Sequence, residues 1–422
     1  MNGELVGGPK LYIKRHAAKT VQEYKKHFGA VLVTGPRQTG KTTLIEETVV
    51  KPGKGRITMV NLDDPLLLRT ANDEGGRFFL DYPPPLFIDE IQYTPNLFPY
   101  IKQIVDKEKK PGLFFMSGSQ QFSLMKGVSE SMAGRVGIID ILGLSLREIE
   151  NNIFSEPFCP TDKYLNARKK APLDISYDKL WDIILRGSMP RLYADPAFKA
   201  PVFYSSYLRT YIERDVRSIV NIGDEKKFLS FVRSTAARTG QMLNITKLAE
   251  DTDIPRTTAE RWLSILITAN LVYLLRPFHV NITKREIKAP KLYFLETGLA
   301  AYLTGWDTPD VLRKGAMGGA FFKTFVISEI IKSYINKGIQ APIYYYRDKE
   351  QCEIDLLILQ KGFIHPIEIK MTANPEKRHT GAFNVLDYLP DPYKRGTGGV
   401  VCCYNNLVSL SEMDKAIPFT YL

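Results

Sequence analysis

Short, unbroken apolar runs recur in the first third of the chain, at residues 30–34, 86–88, 113–116 and 137–142. Each is too short for a helix and is bounded by glycine, proline or polar residues, the pattern of strands buried on both faces of a parallel sheet. From 143 to about 225 the pattern changes. Leu, Ile, Tyr and Arg recur there at helical spacing between proline breaks, which predicts a small helical lid packed on the sheet. Within it, residues 159–171, with Pro160 and a Lys/Arg run, read as a surface loop.

Farther along, Leu248 and Ala249 share the inward face of one short helix, and Ala259, Trp262, Leu263 and Leu266 that of a second, threonine-capped one. The strand-like run 271–275 and the basic Thr283-Lys284-Arg285 follow, so the whole reads as a helix-turn-helix with a wing. An apolar helical run at 321–331 then precedes two strand-like runs, 352–359 and 363–370. The fold class expected is α/β: a parallel-sheet core with its lid, a winged helix and a small α/β domain. The corresponding boundaries are 1–142, 143–225, 226–295 and 296–422.

Composition narrows this picture in three ways. The 422 residues have room for about three domains of roughly 150 residues each. Cys159, Cys352, Cys402 and Cys403 form no C-x-x-C pair, which excludes a thioredoxin-like motif and fits a reducing cytoplasm. No 18-residue apolar run and no charged-then-apolar leader occurs, so a soluble, cytoplasmic protein without a membrane partner is expected. Residues 203–292 carry 15 Lys and Arg against 9 Asp and Glu, so more than half of the net charge of +11 lies in about a fifth of the chain. Such a stretch suits a polyanion such as DNA, and equally a solvated basic face.

The first apolar run leads into Gly35-Pro36-Arg37-Gln38-Thr39-Gly40-Lys41-Thr42, followed by the helix-capable Thr43-Leu44-Ile45-Glu46-Glu47. This is the complete G-x-x-x-x-G-K-[ST] pattern between a strand and a helix. Glycines at both ends let successive amides face phosphate oxygens, and the helix start adds its dipole. Lys41 would reach the β and γ phosphates of ATP, and Thr42 would offer its hydroxyl to Mg²⁺. The second run ends in Asp89-Glu90, where Asp89 is placed to hold the Mg²⁺ shell and Glu90 to activate the attacking water. The third ends in Ser117-Gly118-Ser119-Gln120, whose hydroxyls, Ser119 above all, would sense the γ-phosphate; the alternative is a plain turn. Arg135, in the loop before the fourth run, is a candidate arginine finger or a loop salt bridge.

These motifs in this order resemble the AAA+ ATPases of bacteria and archaea that carry a C-terminal domain of unknown function. The resemblance also covers Asn61-Leu62-Asp63-Asp64-Pro65, Arg214-Asp215-Val216, Ala237-Arg238-Thr239-Gly240, Pro290-Lys291-Leu292-Tyr293-Phe294 and Thr297-Gly298-Leu299. Glu296 stands where the family generally shows Asp, and Gly187-Ser188-Met189-Pro190 replaces its usual double glycine before proline. The resemblance implies ATP and Mg²⁺ as ligands, and a homo-oligomer is expected; whether Arg135 acts within its own subunit or on a neighbouring one stays open.

Two further groups are candidates. Arg256, Thr257, Thr258 and Arg261 fall at the start and outer face of the second helix of the helix-turn-helix, with Lys284 and Arg285 in the wing, where a DNA groove would be contacted. Winged helices also serve as protein-interaction modules. In the last domain Asp355, then Glu368-Ile369-Lys370, has the form D…E-x-K in neighbouring strand-like runs, with Glu329 on the preceding helix available to complete an acidic set. The group resembles the PD-(D/E)xK nuclease fold, which implies Asp355 and Glu368 as metal ligands and Lys370 polarising the attacked phosphate or its water. Three readings stay open: an active nuclease, an inactive relative, or a strand hairpin whose acids pair with Lys370.

Overall fold

The computed structural model describes residues 12–118, 132–211, 225–280 and 289–422. The chain divides into two compact units, Met1–Ile153 with Ser188–Tyr211, and Phe154–Gly187 with Ile212–Leu422. The first unit is built on five parallel strands: β1 (Ala30–Thr34), β2 (Thr58–Asn61), β3 (Leu86–Asp89), β4 (Phe114–Gly118) and β5 (Val136–Asp140). Their order is β2-β3-β4-β1-β5.

β1, β3 and β4 are buried along their whole length, as continuous apolar runs require. The alternation of strand side chains sorts these residues into two cores, one on each face. Val31, Val33, Phe87 and Phe115 pack with Ala17, Val21, Leu44 and Val49. Ala30, Leu32, Ile88, Phe114 and Met116 pack with Phe78, Phe98 and Ile101. All carboxyl ends of the strands therefore emerge on one edge of a sheet fixed from both sides.

At that edge β1 turns sharply at Gly35, with φ of 142°. A Cβ there would sit 2.0 Å from the carbonyl oxygen of Ile141, which follows β5. Gly35→Ala should therefore destabilise the first unit by about 2–4 kcal/mol. Denaturant unfolding followed by circular dichroism checks this, and a loss under about 0.5 kcal/mol would show that the loop relaxes without strain.

In the second unit three helices, Glu225–Ala236, Ile245–Glu250 and Arg256–Thr268, accompany an antiparallel sheet of β6 (Gln241–Met242), β7 (Val272–Leu275) and β8 (Lys291–Phe294). Leu248, Ala249, Ala259, Trp262, Leu263 and Leu266 are buried, and Phe228 and Phe231 meet the Trp262 ring edge-on. The helix Arg256–Thr268 is entered through Pro255 with no side-chain cap. The expected threonine cap is replaced by the fixed φ of proline.

The remaining strands are β9 (Ile343–Arg347), β10 (Glu353–Gln360), β11 (Phe363–Ile369), β12 (Lys394–Arg395), β13 (Gly398–Cys402), β14 (Val408–Ser409) and β15 (Asp414–Pro418). They form a mixed sheet in the order β14-β15-β13-β11-β10-β9, with β12 on β11. The helix Gly318–Ile335 packs against β11.

Two expectations change in this unit. Residues 154–187, read as part of a lid, cluster instead with the helix Gly318–Ile335. The Phe158 N–H donates to Ser333 Oγ at 3.0 Å, and its carbonyl accepts from the Tyr334 hydroxyl at 2.9 Å. Residues 159–171, read as a surface loop, contain the helix Asp162–Lys169, with Tyr164, Leu165 and Arg168 buried. Arg168 donates to the carbonyls of Ala171 and Thr420, so a residue of the basic run is an interior anchor.

Candidate functional site

The loop after β1 is closed by its own residues. Gln38 and Gly40 take φ of 61° and 84°, and Thr39 Oγ1 donates to the Pro36 carbonyl at 2.8 Å. The helix then begins at Lys41, whose amine donates to the carbonyls of Gly35 at 3.1 Å and Pro36 at 2.8 Å. Lys41 is 7% exposed. Pro36 and Thr39 are buried, Arg37 and Gly40 are half-buried, and Gln38 and Thr43 are exposed. The apolar strand sets the depth of the loop, and the glycines permit its curl.

The second half of the site comes from strand order. Because β4 lies between β3 and β1, the ends of all three converge. Thr42 Oγ1 lies 3.0 Å from each carboxylate oxygen of Asp89, and Ser117 Oγ donates to Asp89 Oδ1. A carboxylate beside two hydroxyls is an oxygen donor set that suits Mg²⁺, which would take its other ligands from phosphates and water. The negative field there is felt by Glu46, one turn past Thr42. Its carboxyl is raised above the ordinary value by burial and by the charge of Asp89. Glu90, next to Asp89, is held at φ of 56°, and its carboxylate accepts from the amide of Gln92, itself 5% exposed. A non-glycine residue in this conformation costs about 1–3 kcal/mol and persists where its surroundings fix it.

Other candidates lie elsewhere. The Arg135 carbonyl accepts from the Ala30 N–H at 3.3 Å, which places Arg135 at the edge where β1 begins, a strand length of about 15 Å from the loop. Its guanidinium pairs with Asp106 at 2.6 Å. It cannot reach the loop of its own chain. Ser119 lies outside the described residues, as do Lys284, Arg285 and Arg214-Asp215-Val216.

The D…E-x-K group assembles in part. Asp355 on β10 accepts from the Ile369 N–H at 3.0 Å, and Glu368 on β11 pairs with Lys370 at 2.8 Å. Burial and the charge of Asp355 push the Glu368 carboxyl up to about 7. Sequence reasoning missed two lysines. Lys323 pairs with Asp355, and Lys291 lies 2.6 Å from Glu353 and 3.8 Å from Asp355. Glu329 does not complete an acidic set, because it is turned to Lys332 on its own helix at 2.9 Å. Among the described residues no three His, Cys, Asp or Glu side chains lie together as a metal site would need.

On the helix Arg256–Thr268, Arg256, Thr257 and Arg261 are exposed and Thr258 is half-buried. Arg256 pairs with Glu260 at 2.9 Å, which offsets part of that charge. Among the described residues no helix is long and apolar enough to cross a membrane.

Comparison with known proteins matches residues 27–150 to an AAA domain, 177–310 to a domain of unknown function (DUF8612) and 318–422 to another (DUF4143). The uncharacterized proteins Rv2008c of Mycobacterium tuberculosis and Mb2031c of Mycobacterium bovis are each 30% identical over 378 residues, 86% of this chain and 75% of theirs. Among solved structures, the Walker-type ATPase of Pyrococcus abyssi aligns with a TM-score of 0.43 at 11% identity, covering 69% of this chain and 96% of that one. AMPPCP-bound DnaA from Aquifex aeolicus aligns with a TM-score of 0.30 at 12% identity, covering 60% and 86%. These two structural likenesses are too distant to bear on function.

Proposed function

This chain belongs to the same family as the two mycobacterial proteins, and we propose that it is an Mg²⁺-dependent ATP hydrolase whose C-terminal domain recognises a partner without cutting it. The observation that carries the first half is the convergence of Thr42, Asp89 and Ser117 beside a complete phosphate loop. The loop amides and Lys41 would bind the phosphates, and Thr42 and Asp89 would hold Mg²⁺, which would supply positive charge against the phosphate oxygens. Glu90, oriented by Gln92, takes the proton of the attacking water. Arg135 of a neighbouring copy would supply a completing cation in exchange for its Asp106 partner, so turnover is expected to depend on a homo-oligomer.

The second half rests on charge. Asp355, Glu353 and Glu368 are each paired with a lysine. A divalent cation at Asp355 would have to displace Lys323 and stand near Lys291, so the nuclease-like arrangement is compensated internally. The exposed Arg256, Thr257 and Arg261 on a helix-turn-helix favour DNA as the partner recognised. Plasmid and single-stranded DNA incubated with the protein in Mg²⁺ or Mn²⁺, with and without ATP, should be retained at low salt and stay uncut. Metal-dependent cutting that disappears in Asp355→Ala would restore the nuclease reading, and failure to retain DNA at low salt would remove DNA as the partner.

A further inference from the structure

We propose that Arg15 is a positioning residue for nucleotide binding, which fixes the Thr39–Gly40 peptide so that the Gly40 N–H is presented to the phosphates. The proposal rests on the nucleotide reading of the loop. Arg15 precedes the helix Ala17–His27 and is 6% exposed. Its Nη1 donates to the Thr39 carbonyl at 2.7 Å, Nη2 to the Leu142 carbonyl at 2.8 Å, and Nε to Glu148 Oε1 at 3.1 Å. One planar fork thus joins the phosphate loop to the segment that follows β5.

Peptide geometry gives this contact its consequence. In a trans peptide the C=O and N–H point in opposite directions. With the Thr39 carbonyl turned to Arg15, the N–H of Gly40 faces away from it, and this is one of the loop amides that the motif offers to phosphate oxygens. Gly40 sits at φ of 84° and has no Cβ to hold its peptide plane. The guanidinium therefore supplies an orientation that the glycine does not supply itself, and removes an ordering cost from binding.

Glu148 holds the fork in place. Its side chain is fully buried. Oε1 also accepts from the His16 N–H at 2.7 Å, and Oε2 from the Ser145 N–H at 2.8 Å. Burial alone would raise this carboxyl, but Arg15, His16 and the backbone donors hold it below the usual range. Removing Arg15 alone leaves the buried Glu148 carboxylate without its cation, so a loss of folding has to be separated from a loss of positioning.

The test compares the wild type with Arg15→Met, Arg15→Lys and the double variant Arg15→Met/Glu148→Gln, titrated with fluorescent ATP and ADP analogues and melted without nucleotide. Arg15→Met should weaken ATP and ADP by a similar factor of about tenfold or more and lower the melting temperature. The double variant removes the buried charge but leaves one of the two backbone N–H donors without its acceptor, so it should regain part of the melting temperature and none of the affinity. Arg15→Lys keeps a charge opposite Glu148 without the fork; it should fold and still bind about tenfold more weakly. Affinity that recovers together with melting temperature, or stays within about twofold of wild type in Arg15→Lys, would overturn the proposal and leave Arg15 a packing role. A wild-type protein that binds neither nucleotide would overturn the nucleotide reading itself.

Discussion

Lys41→Ala is expected to abolish tight nucleotide binding while the chain still folds. The Lys41 amine is nearly buried, and in this structure it donates to the carbonyls of Gly35 and Pro36. On the proposed function, ATP would exchange those bonds for bonds to phosphate oxygens, charge against charge in a half-enclosed site. Charge-assisted hydrogen bonds contribute about 1.5–3 kcal/mol each, so losing two weakens binding by about 10²–10⁴-fold. Water entering the space the side chain leaves would solvate the two carbonyls, so the melting temperature is expected to fall by only a few degrees. Equilibrium titration with a fluorescent ATP analogue checks this. Affinity within about tenfold of wild type would show that the phosphates are held elsewhere.

Glu90→Gln should have the complementary effect: ATP bound and not consumed. The substitution keeps the size of the side chain and an oxygen for the Gln92 amide, so the geometry around Asp89 and Thr42 is preserved. Only the proton acceptor is lost. General-base contributions are about 10²–10⁴-fold, and a fall in turnover of that size is expected with affinity changed little. Protein incubated with ATP and then separated from free nucleotide should carry ATP in the variant where the wild type carries ADP. ADP in both would remove Glu90 from its role and point to another base near the β3 end.

The parts of this site that were legible in the sequence are the contiguous ones. Gly35 to Thr42 and Asp89-Glu90 are each a strand followed at once by its chemistry, and a local pattern carries both residue type and placement. What was not legible depends on strand pairing. The sequence does not say that β4 lies between β3 and β1, and that insertion is what brings Ser117 onto Asp89. Arg15 and Glu148 are 133 positions apart and are joined only by the folded first unit. Glu148 did leave a trace, since Ser145 and Glu148 form a capping box that is readable as S-x-x-E.

The second unit shows the same limit in another form. Asp355, Glu368 and Lys370 were found because two neighbouring strand-like runs carry them. Lys323 and Lys291 approach from a helix and from a separate sheet, so the motif could be read while its compensating charge could not. The helix Asp162–Lys169 reads as a loop in the sequence because proline and basic residues outweigh Tyr164 and Leu165 in the pattern. A lysine- or arginine-rich run can bury one member when carbonyls such as that of Thr420 wait for it.

The most direct test of the account is phosphate release from ATP by the wild-type protein, measured with Mg²⁺ and with the metal chelated, beside Glu90→Gln under the same conditions. Steady release that needs Mg²⁺ and falls by about 10²-fold or more in the variant is expected. Release that is absent from wild-type protein saturated with Mg²⁺ and ATP, or equal in the two proteins, would contradict the account.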